Sequence, residues 1–576
     1  MNRIIATGFL FASLFSFRAN AATAPSTYYI DCAAGADANA GTSTSAPWLH
    51  HPYMSGFSGR YTHHAGDQFY FKGGVTCPNS YFPMTLGAGG TVAVSGYGGS
   101  CSATDYYGPD PTKSWYTGSS WARPIWDFQN EVISGNNIAV DYNSDAPSCI
   151  TMDNFEIRGF YWDDNASSYG YTHRLIFNFH NSTSQLLLWD HIYIHGWSHA
   201  AYNSGAVPDD ATWWYGPNWS HDQGVSFGPG ELNNVIQNSV VMCPVGDGNC
   251  HSNDSAPCSN GSAGPCKDGD AVFGGIYDLH SCWIQDVSEA IVGAVYTVHD
   301  SYLQALGSYD PTQHPNVVET WAVDSHEADY YNLVIGNIDN TFVMDIRSAN
   351  YNGAETINIF NNTLYNIGTQ DPIGLDARCN GGITCRPDLA TVNVFNNSVG
   401  GEASATGVCL GLDGEPDGNN WGAVTSENNH CITTSGSSIG FWIGVTPYSQ
   451  PNPSTPLLVQ TPIVADADSS PHFDQYTTSQ TYVYSPVAST NSTVGAGTNL
   501  VSLCNAMANV TAQAACKLDT TYAVIEDANH NAVPSGRTPN PRPSGITAWD
   551  AGAYQYTTGG GGGQPNPPTS LSAIVN

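Results

Sequence analysis

The segment from 196 to 232 combines carboxylates with many large aromatic residues. Aromatic rings pack against the C–H faces of sugars, while neighbouring polar groups hydrogen-bond to sugar hydroxyls. The segment therefore predicts a carbohydrate-binding loop, although the same rings could instead fold the loop against the rest of the protein. The candidate substrate-binding aromatics are Trp197, Trp213, Trp214, Tyr215 and Trp219, and the candidate catalytic acids are Asp209, Asp210 and Asp222.

A second polar group lies in the run SYDPTQHPNVVETW, from Ser308 to Trp321. In an extended segment, His314 and Asn316 share one face, and Glu319 points the other way unless a bend intervenes. We take Glu319 and the more distant Asp270 as further candidate catalytic carboxylates, with His314 as a helper and Asn316 as a substrate ligand. A polar ladder with a purely structural role is the alternative.

Glycoside hydrolysis is the chemistry that such carboxylates suit. It needs two carboxyl groups, one acting as acid and the other as base or nucleophile. The two stand about 5 Å apart in retaining enzymes and about 6.5–9.5 Å apart in inverting enzymes. Candidate acids that are remote in sequence can meet this requirement only if the fold brings them together.

The segment from 244 to 270 offers a different chemistry. Its run DGNCHSND places oxygen-bearing side chains at alternating positions, and Ca²⁺ prefers oxygen ligands. Asp247 and Asp254 are the candidate ligands. The Glu and the spacing of an EF-hand are absent, so a solvated turn is the alternative to a calcium site.

The charge of the chain narrows the choice of partner. Lys and Arg together number 15 against 49 Asp and Glu, which gives a net charge of −34. Such a surface repels nucleic acid and anionic membranes, and it disfavours polyanionic polymers unless metal ions bridge the two. A calcium-assisted polysaccharide lyase would also need a basic residue as its base. A neutral or mildly acidic glycan is therefore favoured over a polyuronate.

A recurring unit predicts the elements that must position these residues. Short apolar runs flank a polar Asn or Ser pair, as in NNVIQNSVVM from Asn233, INIFNNTLYNI from Ile357 and VNVFNNSVGG from Val392. The pairs fall near 238, 280, 300, 332, 361, 396 and 428, a spacing of about 20 to 42 residues that is typical of a solenoid. The runs are strand-sized and rich in Val, Ile, Tyr and Phe, so the solenoid should consist of β-coils.

Stacked coils explain both the Asn pairs and the possible carboxylate pairs. Successive coils lie about 4.8 Å apart, and side chains alternate between the interior and the exterior. Ile357 and Ile359 should therefore stack inside with their counterparts. Asn tolerates the left-handed backbone of a coil corner, and stacked Asn side chains can hydrogen-bond along a ladder. Carboxylates on neighbouring coils, such as Asp270 and Glu319, could reach glycosidase distance.

Composition along the chain predicts its organisation. Residues 1–21 resemble a signal peptide, with Arg3, an apolar stretch and a small-x-small cleavage site. The β-helix domain is predicted over 22–556, with a capping segment over about 27–75, excursions at about 196–232 and 244–270, and terminal coils over about 440–556. Residues 557–576 read as a Gly- and Pro-rich linker and the truncated start of a further module. We find no helical periodicity after the N-terminus and no later segment apolar enough to span a membrane.

The 15 cysteines fit an exported protein, because disulfides form in oxidising compartments. Close pairs that could form local loops are Cys379 with Cys385, Cys504 with Cys516, and Cys258 with Cys250 or Cys266. The odd count leaves one thiol free or paired between chains.

The rung pattern, the run DANAGTSTSAPW and the terminal DAGAYQY together resemble secreted bacterial right-handed parallel β-helix repeat proteins of the pectate-lyase-like superfold. This resemblance implies an all-β, right-handed parallel β-helix. The group includes hydrolases, lyases, esterases, epimerases and adhesins, so the resemblance does not choose an activity.

The residues therefore favour a secreted or cell-surface β-helix that acts on a polysaccharide or a cell-surface glycan as a two-carboxylate glycoside hydrolase. Two alternatives remain open. One is a non-catalytic, adhesin-like solenoid that binds glycan, and the other is the calcium-assisted lyase.

Overall fold

The chain forms a right-handed parallel β-helix. The computed structural model describes residues 25–86, 101–129, 140–142, 149–162, 177–179, 186–199, 225–227, 234–242, 270–305, 316–321, 327–347, 355–376, 390–401, 409–413, 423–433, 441–444, 457–467, 476 and 480–557, apart from short breaks within these ranges. The predicted signal peptide and nearly all of the predicted linker lie outside these residues. No helix in the described part of the chain is long and apolar enough to cross a membrane.

Three long parallel sheets make up the stack. The first sheet contains β1 (Thr27–Ile30), β2 (Gln68–Phe71), β5 (Asp105–Pro109), β8 (Cys149–Asp153), β11 (Leu186–Asp190), β14 (Asn234–Gln237), β17 (Ile276–His280), β20 (Val295–His299), β23 (Glu327–Tyr331), β26 (Thr356–Phe360), β29 (Thr391–Phe395), β32 (Ala423–Glu427) and β35 (Leu457–Gln460).

The second sheet contains β3 (Thr76–Pro78), β6 (Ile125–Asp127), β9 (Glu156–Trp162), β12 (Tyr193–His199), β15 (Val240–Met242), β18 (Trp283–Val287), β21 (Tyr302–Ala305), β24 (Val334–Ile338), β27 (Thr363–Ile367), β30 (Ser398–Gly401), β33 (Asn429–Thr433) and β36 (Ile463–Ala467). The third sheet contains β4 (Met84–Leu86), β7 (Val140–Tyr142), β10 (Phe177–Phe179), β13 (Val225–Phe227), β16 (Asp270–Phe273), β19 (Glu289–Gly293), β22 (Val318–Trp321), β25 (Phe342–Arg347), β28 (Asp371–Asp376), β31 (Leu410–Asp413) and β34 (Phe441–Gly444).

The interior is filled by apolar columns that run along the stack. Ile357 is aligned with Val392 on the next strand, and both side chains are fully buried. Ile359 and Val394 form the neighbouring column in the same way. The predicted stacking of Ile357 and Ile359 is therefore confirmed, and burial of these columns supplies the main driving force for the fold.

The corner between the first and second sheets is where the Asn pairs lie. The first residue of each pair has a left-handed backbone, with φ of 58° at Asn361, 56° at Asn396 and 55° at Asn428. The second residue points inward, and the Asn397 side-chain oxygen accepts from the Asn362 amide at 3.0 Å. The Asn397 amide donates to Asn429 at 3.0 Å. Both structural roles predicted for the pairs are confirmed.

The chain after the last coil differs from the prediction of terminal coils over 440–556. Strands β34, β35 and β36 do continue the coils to Ala467. Residues 480–557, which we call the strap, instead lie lengthwise along the corner between the first and second sheets. The strap contains two helices, α1 (Val501–Ala506) and α2 (Val510–Cys516), and a hairpin of β37 (Val524–Glu526) and β38 (Ala532–Pro534). Each helix is shorter than two turns, which explains why periodicity did not predict it.

The strap reaches from late coils back to early ones. At one end, Asn428 donates to the Thr498 carbonyl at 2.8 Å. At the other, the Arg123 guanidinium donates to the Asn529 carbonyl at 2.9 Å. Ten consecutive strands of the second sheet, β6 to β33, lie between these contacts, so the strap spans about 40 Å of the stack.

An aromatic column on the outer face of the first sheet lies under the strap. Tyr331, Phe360 and Phe395 stack with ring centroids 4.9 and 5.0 Å apart, which matches the spacing of the coils. Their rings are at most 1% exposed, because Leu500 and Trp549 of the strap pack against them. Apolar side chains that point outward from the coils are thus buried by the chain itself.

Four disulfides occur among the described residues: Cys32–Cys77, Cys101–Cys149, Cys409–Cys431 and Cys504–Cys516. The last joins the two strap helices and confirms a predicted pair. The other predicted pairs lie outside the described residues. Within the described part of the chain, Cys282 is the free thiol, and burial raises its pKa to about 12.

Candidate functional site

Glu319 lies on the outer face of the third sheet, in the middle of β22. Its neighbours Val318 and Thr320 are fully buried, and Val318 aligns with Met344 of the interior column. Because side chains alternate along a strand, Glu319 must point outward. Its side chain is nonetheless only 7% exposed.

Asp345 of β25 is the direct register partner of Glu319 on the next coil. Adjacent parallel strands lie about 4.8 Å apart, so the two carboxylates leave the sheet side by side. Asp345 is 1% exposed. The third sheet therefore carries two outward-pointing carboxylates on neighbouring rungs, both shielded from solvent.

Asn316 joins the two carboxylates. Its side-chain amide nitrogen lies 2.7 Å from Glu319 Oε2 and 3.4 Å from Asp345 Oδ2. These two oxygens are therefore no more than about 6 Å apart, close to the carboxyl separation of retaining glycosidases. Asn316 is fully buried, and its side-chain oxygen has no hydrogen-bond partner in the described part of the chain. Such an orphaned acceptor can receive a hydroxyl from a bound ligand.

Two glycines extend the outer surface beyond the pair. Asp345 aligns with Gly374 of β28, and Gly374 aligns with Gly411 of β31. The sheet thus carries no side chain at this position for two rungs, about 10 Å along the stack. Glycines in strands occur where a ligand or another backbone approaches closely, and both glycines of this bare stretch are buried.

A second row of aligned positions lies next to the row formed by Glu319, Asp345, Gly374 and Gly411. Two residues beyond Glu319, the strands align Trp321, Arg347, Asp376 and Asp413. This alignment follows from the backbone register alone. It places an aromatic, a cationic and two acidic residue types in one aligned row, two residues along the strands from the carboxylate pair and the glycines.

The structure decides two expectations about this region. Asn316 and Glu319 are predicted on opposite faces unless a bend intervenes, and the chain bends at residue 317, before β22 begins, which brings the two side chains together. Asp270 was expected as a possible partner of Glu319. The register instead aligns Glu319 with Val292 and Phe273, so Asp270 lies three residues along and two strands away. That pairing is wrong, and Asp345 takes the place of Asp270 beside Glu319.

Most other predicted site residues lie outside the described residues. This group comprises Asp209, Asp210, Asp222, His314, Trp213, Trp214, Tyr215, Trp219, Asp247 and Asp254. Trp197 belongs to β12, where its backbone aligns with Phe160 of β9. Asp345 was missed, although aligning the interior residues Val318 and Met344 would have placed it beside Glu319.

One group in the described part of the chain has the composition of a metal site. Ligand atoms of Asp153, Asp190 and His191 lie within 4.8 Å of one another. These groups already hydrogen-bond to protein: Tyr106 donates to Asp153 at 2.8 Å, and Asn238 donates to Asp190 at 2.8 Å. Burial raises the pKa of Asp190, but hydrogen bonds from His191 and Asn238 outweigh it and hold that pKa below its ordinary value. The cluster is a satisfied polar network at the sheet corner.

His299 forms a separate buried ion cluster on the first sheet. Its two ring nitrogens lie 3.3 Å from Asp278 and 2.6 Å from Asp300. Burial lowers the pKa of His299, but its interactions with the Asp278 and Asp300 carboxylates, which accept from the protonated ring, outweigh burial and raise that pKa to about 9. The imidazolium stacks on Tyr331 at 4.7 Å. This histidine therefore extends the aromatic column and is remote from the carboxylate pair.

Comparison with known proteins gives little further information. No protein-family model matches the chain, and no curated protein matches it by sequence. Among solved structures, it is similar to the GH136 lacto-N-biosidase from Eubacterium ramulus, with a TM-score of 0.37 and 12% identity over 77% of this chain and 68% of that chain. A similarity of this size carries no information on activity, so the function proposed below rests on the residues of this chain.

Proposed function

We propose that the chain is a secreted glycoside hydrolase that cleaves a neutral polysaccharide with Glu319 and Asp345 as its two carboxylates. The observation that carries the proposal is the position of these side chains on adjacent rungs, with two of their oxygens no more than about 6 Å apart. In a retaining mechanism, one carboxyl protonates the leaving oxygen while the other attacks the anomeric carbon. Water, deprotonated by the first residue, then hydrolyses the covalent glycosyl-enzyme intermediate.

The surroundings of the pair fit this chemistry. Asn316 fixes both carboxylates through one amide group, and fixed geometry is what catalysis requires of such groups. The unpaired Asn316 oxygen can accept a sugar hydroxyl. Gly374 and Gly411 place no side chain beside Asp345 on the next two rungs.

The net charge supports a neutral substrate, and the disulfides support secretion. A net charge of −34 opposes the binding of polyanions, so an uncharged glycan is the better substrate class. Four disulfides in the described part of the chain are compatible with an extracellular protein, because such bonds persist in oxidising compartments.

The experiment is a cleavage assay on a panel of neutral polysaccharides, read by the release of reducing ends. Glu319→Gln and Asp345→Asn should each reduce activity by about 10²–10⁴-fold, the usual contribution of a general acid or base. Glu427→Gln is the matched control, since Glu427 lies on the outer face of the first sheet and should leave activity unchanged. Failure of the wild-type chain to cleave any glycan, or full activity in both site variants, would overturn the proposal. Unsaturated products would identify a lyase instead.

The near-complete burial of the pair favours a second candidate, a non-catalytic glycan-binding solenoid. Glu319 and Asp345 are 7% and 1% exposed, and both contact the same amide group, as expected of a structural polar cluster. In that case Glu319→Gln and Asp345→Asn would lower the melting temperature, and the wild-type chain would bind glycan without cleaving it.

A further inference from the structure

The first three coils carry a second group of aromatic side chains on the outer face of the first sheet. Tyr29, Tyr70 and Tyr106 belong to β1, β2 and β5, and Trp115 lies in the turn region that follows β5. Neighbouring rings meet edge to face: Tyr29 with Tyr70 at 5.6 Å, Tyr70 with Tyr106 at 5.8 Å, and Tyr29 with Trp115 at 5.2 Å. We call these four residues the aromatic platform.

Strand alternation and one glycine build the platform. In β1 and β2 the alternate residues are buried, which turns Tyr29 and Tyr70 outward. Tyr70 aligns with Gly108 of β5, where an added Cβ would lie 2.6 Å from the Tyr106 hydroxyl oxygen. Gly108 therefore gives the Tyr106 ring space to lie across its own strand. The Tyr106 hydroxyl donates to Asp153 at 2.8 Å, which holds the ring in place.

The platform differs from the aromatic column under the strap on the same sheet. Tyr331, Phe360 and Phe395 are covered by strap residues, whereas the four platform rings are half-buried and keep part of their surface in solvent. The contact of Arg123 with Asn529 marks the early-coil end of the strap, on the side of the second sheet. No described residue of the strap hydrogen-bonds to or stacks on a platform ring.

The charged groups around the platform already have ionic or hydrogen-bonding partners within the protein. Lys72 lies 5.8 Å from the Trp115 ring centroid, and its ammonium is bound to Asp31 at 2.7 Å. Asp110 accepts hydrogen bonds from Thr112 and Ser114 at 2.7 and 2.8 Å. A surface of ring faces, hydroxyls and charges that already have partners, on a chain of net charge −34, complements a ligand with apolar C–H faces, hydroxyl groups and no charge.

We propose that the aromatic platform is a binding site for a neutral polysaccharide, separate from the carboxylate pair. The platform occupies the first three strands of the first sheet, whereas Glu319 lies about five rungs further along the stack on the third sheet, about 24 Å away along the axis. The platform therefore holds polymer at one end of the β-helix, without contact with the carboxylates. The proposal does not depend on the hydrolase activity, because binding at the rings requires no chemistry.

The test measures binding of the full chain to insoluble neutral polysaccharides, namely cellulose, chitin and xylan, with polygalacturonate as the anionic control polymer. A Tyr70→Ala/Trp115→Ala double variant should bind its neutral polymer about tenfold or more weakly, because two ring contacts are lost. Tyr70→Phe keeps the ring and should bind like the wild type. Tyr556→Ala, which removes a tyrosine at the far end of the strap, is the matched control.

The outcomes separate this proposal from the hydrolase proposal. Loss of polymer binding in the double variant, with an unchanged melting temperature, supports a binding site at the platform whether or not the chain cleaves glycan. Unchanged polymer binding in the double variant overturns it, as does tighter binding of polygalacturonate than of every neutral polymer. Concentration-dependent self-association that the double variant abolishes would overturn it in favour of an interface between copies of this chain. Trp115→Ala alone gives a second variant if the double variant does not fold.

Discussion

Asp329 ties the strap to the first sheet, and its titration should control how firmly the strap is held. Its side chain is fully buried. It accepts a hydrogen bond from the Asn358 amide at 2.8 Å and one from the Asn509 amide of the strap at 3.0 Å. Glu327, two residues earlier, accepts from the backbone nitrogens of Ala508 and Asn509. Burial, and then the charge of Glu327, raise the pKa of Asp329 from 3.8 to about 7.

The sign of the effect follows from the raised pKa. Between pH 4 and 7 the folded state binds a proton at Asp329 that the unfolded state releases, so stability falls as the pH rises through this range. The contribution is fully present below pH 4, and its loss is complete above about pH 7. A difference of about three pH units corresponds to about 4 kcal/mol in the free energy of unfolding.

Asp329→Asn removes this titration while keeping the shape of the side chain. At pH 4.5 the variant should be about as stable as the wild type, because Asp329 is then neutral and, like the amide, accepts well at only one of its two polar atoms. At pH 8.5 it should be more stable than the wild type, since no charge is then buried. The measurement is the difference in melting temperature between variant and wild type across this pH range, together with the rate of limited proteolysis in the strap.

Asp527→Asn provides the control, because Asp527 is also in the strap but has a pKa below its ordinary value. Burial raises that pKa, and hydrogen bonds from Asn531 and Asn529 outweigh the burial. Its effect on stability should therefore be constant between pH 4.5 and 8.5. Parallel melting curves of Asp329→Asn and wild type over the whole range would refute the reasoning.

Three further predictions concern the column, the ladder and the bare stretch of sheet. Phe360→Ala should cost about 3–5 kcal/mol of stability, because it opens a cavity between two stacked rings and the strap, and a loss below 1 kcal/mol in chemical denaturation would contradict the packing. Asn397→Ala should cost about 3 kcal/mol, since it strips buried hydrogen bonds from Asn362 and Asn429, and a neutral effect on melting would contradict the ladder. Gly374→Val should reduce glycan cleavage at least about tenfold by filling the bare stretch beside Asp345. Gly545→Ala is its control, because an added Cβ there meets nothing within 4 Å, and unchanged cleavage by Gly374→Val would exclude this stretch from the substrate path.

The corners and the interior of the β-helix could be predicted from the sequence because they depend on neighbouring residues. An apolar run followed by an Asn pair sets a left-handed residue, an inward amide and the next strand within a few positions. The register repeats these groups from coil to coil. The spacing of the pairs along the chain therefore predicts the ladder that Asn362, Asn397 and Asn429 form.

The carboxylate pair could be predicted only in part. Glu319 was predicted as a candidate catalytic carboxylate. Which residue lies beside it on the next coil depends on the length of the segment between β22 and β25. That length differs from coil to coil, so the residue opposite Glu319 cannot be found by counting a fixed period. Strand alternation put Asn316 and Glu319 on opposite faces unless a bend intervened, and the chain does bend at residue 317, before β22 begins.

The strap could not be predicted from the sequence because its position depends on contacts between residues that are far apart along the chain. Its helices are short, and they are held by a disulfide and by packing against Tyr331, Phe360 and Phe395. Those three rings are outward-facing residues of distant coils, which alternation alone would leave in solvent. Their burial depends on a segment more than a hundred residues further along the chain.

The stereochemistry of glycan cleavage tests the central claim most directly. The anomeric configuration of the first product, followed by proton NMR on the glycan that the chain cleaves, reports the separation of the two carboxylates. The close pair of Glu319 and Asp345 predicts retention of configuration, lost together with cleavage in Glu319→Gln and Asp345→Asn. Inversion of configuration, or retention that persists in both variants, would contradict the assignment of these carboxylates as the catalytic pair.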